Sequence, residues 1–258
     1  MKDFHELLPD LVKLADQAGE AIMKIYATDF KVKTKDDMSP VTEADVAAEA
    51  IILKELNALT PNIPAIAEEE MAAGRAPELN GDHYWLVDPL DGTKEFLNRN
   101  DEFTVNIGLI DGNRTILGVV SAPALKTSYW GALGHGALDR DPSGTKKLTV
   151  RRTPPEGITV IGSRRHGKSS ELEKLLKDYT VNGNMTAGSS LKFCLVAAGE
   201  ADMYPRYGPT SEWDTAAGHA VLEAAGGQVT NTDGSPFLYR KPKFRNSNFI
   251  AWGGLRPH

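Results

Sequence analysis

Apolar residues recur every three to four positions from Phe4 to Tyr26: Leu7, Leu8, Leu11, Leu14, Ala15, Ala18, Ala21, Ile22 and Ile25. That spacing predicts an amphipathic helix. A polar stretch ends at Ser39-Pro40. The segment VTEADVAAEAIILKELNAL then predicts a second helix, capped by Thr42 and finished before Pro61.

Beyond residue 62 the period changes. IPAIAEEE reads as a short apolar strand running into carboxylates. HYWLVDPLDG reads as a strand that ends in a turn dense in Asp, Pro and Gly. FTVNIGLIDGNRTILGVVSAP predicts a hairpin that turns at Asp111-Gly112-Asn113. TSYWGAL and KKLTVRR are further strands, and DRDPSGTKK between them reads as a loop. From Gly157 strands and helices alternate. GITVIGS, GNMTAGSS, ADMYPR, GQVTN and NFIAWG supply strands, and SSELEKLLKDY and LKFCLVAAGE supply helices. EWDTAAGHAVLEAAGG predicts a helix that stops at Gly226-Gly227. The whole is an α/β (α+β) chain. A helix-first half, residues 1–155, precedes an α/β half, residues 156–258, with the break at Pro154-Pro155-Glu156-Gly157.

Composition narrows the function classes. At 258 residues, 41% hydrophobic and 25% charged, the chain has enough apolar surface for a sizeable core. No stretch approaches 18 apolar residues, and MKDFHELLPDLVKLADQAGE lacks the apolar run of a secretion signal. A cytoplasmic place is expected, with peripheral membrane attachment left open. The one cysteine, Cys194, excludes an internal disulfide framework and a thiolate zinc site, and reads as a buried helix residue. His219 reads as a packing or capping residue. Acids outnumber bases 35 to 29, which argues against a nucleic-acid polymer as partner.

The most informative segment is WLVDPLDGT, residues 85–93. An apolar strand drives into two acids three residues apart, with Gly92 behind them. Paired carboxylates suit hard divalent cations. Glu68-Glu69-Glu70 can bring more oxygens to the same edge, and Asp214 stands where a helix begins. Each element also has an ordinary reading: Asp-Pro-x-Asp-Gly as a surface turn, the three glutamates as a solvated run, Asp214 as a helix cap.

WLVDPLDGTKEF and EWDTAAGHAVLEAAGG closely resemble the two signature motifs of the inositol monophosphatase-like superfamily, which are Mg²⁺-dependent, lithium-sensitive phosphomonoesterases. SPVTEAD and AIAEEE match its pattern in order and spacing, so the likeness covers residues 39–227. The lysine of DGTKEF and the segment GSSLKFCLVAAGEADMYPRYGPTSEWD resemble its 3′(2′),5′-bisphosphate nucleotidase branch more specifically.

The resemblance implies a layered αβαβα sugar-phosphatase-type fold of two closely packed subdomains. It implies that Glu68, Asp88 and the Leu90 carbonyl hold one Mg²⁺. Asp88, Asp91 and Asp214 would hold a second, and Glu69 would help with a third. Thr93 and Asp45 become the pair that activates water, and the N–H groups of Gly92 and Thr93 bind phosphate. Where the family has Gly or Ser before the paired acids, this chain has Ala67. In the nucleotidase branch His166, Ser189, Lys192 and Arg206 correspond to contacts with adenine and a second phosphate. The implied reaction is attack by water on adenosine 3′,5′-bisphosphate, giving AMP, with 3′-phosphoadenylyl sulfate as a second substrate and a link to sulfate assimilation. Taking the six site carboxylates away leaves acids and bases equal. The acidic excess then reads as a local cage for two or three Mg²⁺.

Three other readings compete with this one. An inositol monophosphate phosphatase would share every metal ligand. Gly162–Ser169 literally matches G-x-x-x-x-G-K-[ST], the phosphate loop of nucleoside triphosphatases. Bulky Arg164, Arg165 and His166 sit where such a loop has small residues, and no strand ending in a Mg²⁺-binding Asp follows. A non-catalytic nucleotide-binding module would have no need of both Thr93 and Asp45.

Overall fold

The computed structural model describes residues 4–29, 32–34, 40–164 and 170–255; for residues 32–34, 40 and 41 it describes the backbone only. A 3₁₀ turn, Phe4–Leu7, leads into α1, Leu8–Tyr26. β1, Val32–Thr34, and β2, Pro40–Thr42, form a small antiparallel pair. α2 follows as Glu43–Leu59. Thr42 caps it as expected. Its Oγ1 accepts the Ala44 N–H at 3.1 Å, and its own N–H donates back to Asp45 at 2.8 Å.

Next come β3, Ala65–Ala67, and α3, Glu68–Ala72. β4 is His83–Asp91, α4 is Thr93–Leu97, β5 is Thr104–Asp111 and β6 is Arg114–Ala122. β7, Thr127–Ala132, β8, Gly136–Asp141, and β9, Gly144–Leu148, complete a seven-stranded sheet in sequential order. Only β3 and β4 pair in parallel within it.

A second sheet begins after the prolines at 154 and 155. It comprises β10, Ile158–Gly162; β11, Val181–Thr186; β12, Met203–Arg206; β13, Gln228–Asn231; and β14, Phe249–Trp252. Its order is β11-β10-β12-β14-β13. The helices between these strands are α5, Ser170–Leu176; α6, Leu191–Ala197; and α7, Ala216–Ala224, preceded by a 3₁₀ turn at Glu212–Asp214.

The layers follow from which strand faces are apolar. On β5, Val105, Ile107 and Leu109 point toward α1 and α2, in one core with Leu11, Ile22 and Ile52. The opposite face, with Ile110, meets α6 and α7 in a second core shared with the five-stranded sheet through Phe193, Val221 and Phe249. Leu175 and Leu176 of α5 cover that sheet's far side beside Ile158, Met203 and Ile250. This is the αβαβα sandwich. Gly118 of β6 allows it to close: a Cβ there would stand 2.4 Å from the Ala217 carbonyl oxygen of α7. No helix among the described residues is long and apolar enough to cross a membrane.

Three local expectations need correction. DRDPSGTKK is not a loop: it holds most of the β8–β9 hairpin, with Asp139 opposite Lys146 and Arg140 opposite Thr145. The pair forms the polar margin of the sheet, so hydrophobic alternation could not reveal it. β4 does not end at Asp88; pairing with β5 resumes at Asp91 after a register shift, a bulge that carries Pro89 and Leu90. The glutamates after Ala67 do not trail off a strand but open α3.

Candidate active site

Four chain reversals meet where β4 runs out. α3 brings Glu68 as its first residue. The bulge of β4 brings Asp88, the Leu90 carbonyl and Asp91. The first turn of α4 brings Thr93, and the 3₁₀ turn before α7 brings Asp214. Glu68, Asp88, Leu90, Asp91, Thr93 and Asp214 all line one cleft of about 390 Å³. Asp45 lies behind its wall, 1% exposed, and reaches it through Thr93, whose Oγ1 donates to Asp45 Oδ1 at 3.3 Å. Glu69 follows Glu68 on α3 but does not line the cleft.

Each acid is held by its local fold. Asp88 Oδ1 accepts the Leu90 N–H at 3.1 Å across the bulge. Asp214 Oδ2 accepts the Ser211 N–H at 2.9 Å, the reciprocal half of a capping box. Asp214 thus takes part in the cap of this turn, as the ordinary reading expects, with one of its oxygens. Asp91 Oδ2 accepts Asn106 Nδ2 at 3.5 Å.

The electrostatics are those of a crowded, largely buried anionic cluster. Burial, then the charges of Glu68, Asp91, Asp214 and Asp45, push the Asp88 carboxyl well above the usual range. Burial, then Asp91 and Glu68, do the same to Asp214. Burial raises Asp91 to about 6, against the pull of the Lys192 ammonium. Carboxylates that disfavour one another's charge this strongly form a hard-oxygen donor set, which suits Mg²⁺. Among the described residues no three acidic, His or Cys side chains already converge closely enough to enclose an ion. The fit therefore rests on donor type and a common cleft.

A second cleft, about 220 Å³, opens on the same wall and shares Asp91, Gly92, Lys94, Glu95, Thr210 and Asp214. Ser189, Lys192 and Arg206 line it. Their engagements were not anticipated. Ser189 has φ +49°, and its hydroxyl lies 2.7 Å from the Asp91 carbonyl and 2.8 Å from that of Glu102. Lys192 is 4% exposed; its ammonium donates to the carbonyls of Ser189 at 2.5 Å and Ala187 at 3.2 Å. Burial lowers its pKa to about 8, with Asp91 opposing. Both side chains therefore brace the turn that forms the cleft floor. Arg206 Nη2 donates to Pro209 at 3.4 Å, while its buried Nε has no hydrogen-bond partner in the structure. His166 lies outside the described residues, as does the stretch 165–169 of the phosphate-loop-like match.

Several buried or half-buried polar residues escaped the sequence reading. Asn106 and Thr104, on the face of β5 toward α6, meet Ser190: the Ser190 hydroxyl donates to Asn106 Oδ1 at 2.6 Å and pairs with Thr104 at 3.0 Å. Polar side chains inside FTVNIGLI were the available signal. Glu102 accepts the Gly188 N–H at 2.6 Å and binds Arg164 bidentately. Glu49, 4% exposed, accepts the N–H groups of Glu69 and Glu70. Cys194 and His219 are buried, as expected; His219 Nδ1 pairs with the Tyr239 hydroxyl at 2.9 Å.

Comparison with known proteins agrees with this geometry. The family model described as inositol monophosphatase family matches residues 3–255. The chain is 46% identical over 246 residues to the 3′(2′),5′-bisphosphate nucleotidase CysQ of Salmonella typhimurium, covering 94% of this chain and 98% of that one. The crystal structure of CysQ from Bacteroides thetaiotaomicron superposes with a TM-score of 0.82 at 33% identity, covering 99% of each chain. A Thermotoga maritima IMPase superposes at 0.78 with 27% identity, over 97% of this chain and 93% of that one. With the αβαβα sandwich and the carboxylate cleft in place, the chain belongs to the inositol monophosphatase family.

Proposed function

We propose that the chain is a Mg²⁺-dependent 3′(2′),5′-bisphosphate nucleotidase that hydrolyses adenosine 3′,5′-bisphosphate to AMP and phosphate. One observation carries the choice within the family. The acid cleft continues into a second cleft whose floor is braced by Lys192 and bordered by Arg206. A monophosphate of inositol needs the first cleft only. A nucleoside bisphosphate has a second phosphate to place, and cations beside that floor suit it. The 46% identity to a protein that bears this activity in its name supports the same choice.

The residues take the following parts. Mg²⁺ held by Glu68, Asp88, the Leu90 carbonyl, Asp91 and Asp214, with Glu69 assisting, would offset the charge of the phosphate dianion and of the departing alkoxide. Thr93 Oγ1 accepts a hydrogen bond from the attacking water and passes its own proton toward Asp45 Oδ1, to which it already donates. The N–H groups of Gly92 and Thr93 hold phosphate oxygens at the start of α4. Water oxygen bonds to phosphorus as the bond from phosphorus to the 3′ oxygen breaks. The departing 3′ oxygen takes a proton from solvent, Asp45 returns its own to solvent, and no protein group is phosphorylated. Arg206 faces the second phosphate, with Ser189 and Lys192 shaping the floor beneath it, and His166 is assigned to the base. We extend the same reading to 3′-phosphoadenylyl sulfate and to inhibition by lithium.

The test is phosphate release from adenosine 3′,5′-bisphosphate, 3′-phosphoadenylyl sulfate and inositol 1-phosphate, with and without Mg²⁺. Preference for the bisphosphate in Mg²⁺ is the expected result. Preference for inositol 1-phosphate would move the chain to the other branch. Nucleotide binding without turnover would make it a non-catalytic module.

A further inference from the structure

Glu49 lies one helical turn beyond Asp45 on the same face of α2. Its carboxylate does not serve its own helix. Oε2 accepts the Glu69 N–H at 2.8 Å and Oε1 accepts the Glu70 N–H at 2.9 Å. These are the second and third N–H groups of α3, which a helix cannot satisfy by itself. Ordinarily the N-cap side chain takes one of them. Here the N-cap is Ala67, which has no side-chain acceptor. The cap is supplied from another helix instead.

α3 has five residues, too few to hold its shape without outside support. Its first residue is Glu68, on the acid cleft. The orientation of Glu68 therefore depends on what fixes the first turn of α3. A buried carboxylate next to two further glutamates is an expensive cap, since burial alone disfavours its charge. A Ser or Asp at position 67 would satisfy one of these N–H groups locally. What the remote cap adds is registration. α2 carries Asp45, the partner of Thr93, and Glu49, the anchor of α3, four residues apart on one rigid element.

We propose that Glu49 is a positioning residue for the metal cleft, fixing the start of α3 so that Glu68 points among Asp88, Asp91 and Asp214. This rests on the reading of the cleft as a Mg²⁺ site. Residues that orient metal ligands typically change metal affinity by roughly ten- to hundred-fold when removed. Glu49→Ala removes both acceptors. Glu49→Gln keeps the volume and one acceptor, and turns an NH₂ toward the other N–H.

The experiment is calorimetric Mg²⁺ titration of the purified full chain without substrate, with circular dichroism and thermal melting on the same samples. Ile52→Val, a buried volume change on the same helix, serves as control. Phosphate release against Mg²⁺ concentration follows. Expected is a Mg²⁺ affinity roughly ten-fold weaker in Glu49→Gln and weaker again in Glu49→Ala, with native far-UV spectra. Turnover should recover at high Mg²⁺ with the substrate KM unchanged. Mg²⁺ affinity within two-fold of the parent in both variants would overturn the proposal. So would an equal loss in Ile52→Val at matching melting temperature, which would mean only that α2 is loosened. A parent chain that binds no Mg²⁺ would remove the proposal together with the metal reading. If Mg²⁺ affinity falls as expected but no bisphosphate is hydrolysed, the nucleotidase reading fails and the positioning role stands.

Discussion

The Thr93 hydroxyl donates to Asp45 Oδ1 at 3.3 Å, joining the first turn of α4 to the first turn of α2 across 48 residues of chain. The other oxygen of Asp45 is already committed, accepting from the Thr42 N–H at 2.8 Å and the Thr42 hydroxyl at 2.7 Å. Asp45 is thereby locked in orientation, and only Oδ1 faces the cleft side. Thr93→Val keeps the shape and removes the proton path, so kcat should fall on the order of 10²–10⁴-fold, the usual worth of a positioned proton acceptor. Thr93→Ser should retain most activity. Asp45→Asn should lose turnover similarly and also about 1 kcal/mol of stability, because it disturbs the cap of α2. Phosphate release and thermal melting on the three variants separate these effects. A Thr93→Val enzyme within a few-fold of the parent would remove the pair from the mechanism.

Gly92 shows how tightly the two clefts are joined. Its φ is +91°, a conformation that favours glycine, and an added Cβ would stand 2.2 Å from the Ser189 hydroxyl. Gly92→Ala should therefore destabilise by more than 1 kcal/mol, from strain and from displacement of Ser189. Ser189→Gly in the same chain should recover the steric part but not the backbone part. A denaturant double-mutant cycle checks this, and additivity of the two changes would mean that the contact carries no energy.

Much of this architecture is legible in the sequence because it rests on period and capping. α1 announces itself through Leu11, Leu14, Ala18 and Ile22, and α2 through Thr42 and its return partner Asp45. The acids of the cleft stand out because Asp88 and Asp91 interrupt an apolar strand. The supporting groups are harder to read. Lys192 looks like a free cation, yet its ammonium gives two of its three protons to carbonyls of its own turn. Glu49 looks like one more exposed helix acid; only the fold brings α3 against it. The Glu49 contacts span 20 and 21 residues, and those of Lys192 reach 3 and 5 residues back to a turn shaped by the fold, so no side-chain period encodes either. The β8–β9 hairpin fails for another reason: at the polar margin of a sheet its pairing is made by the backbone, whatever the side chains.

Lys192 gives the bisphosphate reaction a pH signature of its own. Burial lowers its pKa to about 8, with Asp91 partly restoring it. A lysine is useful to an anion only while protonated, so its contribution is full below pH 8 and falls away above it. The ratio kcat/KM reports groups of the free enzyme. For adenosine 3′,5′-bisphosphate it should decline above about pH 8, by roughly ten-fold or more once the charge-assisted contact is gone. For inositol 1-phosphate, with nothing to place in the second cleft, that decline should be absent. Lys192→Met should abolish the difference between the two profiles and bind the bisphosphate more weakly below about pH 8, with the gap to the parent closing above it. Parallel profiles in the parent enzyme would show that Lys192 serves only its turn.

Asp88 separates the demands of folding from those of metal binding. It is 2% exposed, and Glu68, Asp91, Asp214 and Asp45 all oppose its charge. At neutral pH without metal, folding must gather these carboxylates against their repulsion, so the cluster lowers stability. Asp88→Asn removes one charge while its amide oxygen can still accept the Leu90 N–H. In chelator the variant should therefore melt a few degrees higher than the parent, equivalent to about 1–2 kcal/mol in a chain of this size. Added Mg²⁺ should raise the melting temperature of the parent, since a ligand of the folded state alone stabilises it by mass action. It should raise that of Asp88→Asn little, and the variant should lose most activity. The two melting curves are thus expected to change order between chelator and Mg²⁺. A variant that melts lower than the parent in chelator would mean that Asp88 is a structural acid whose hydrogen bond outweighs its repulsion. A variant stabilised by Mg²⁺ as strongly as the parent would mean that the ion is held elsewhere.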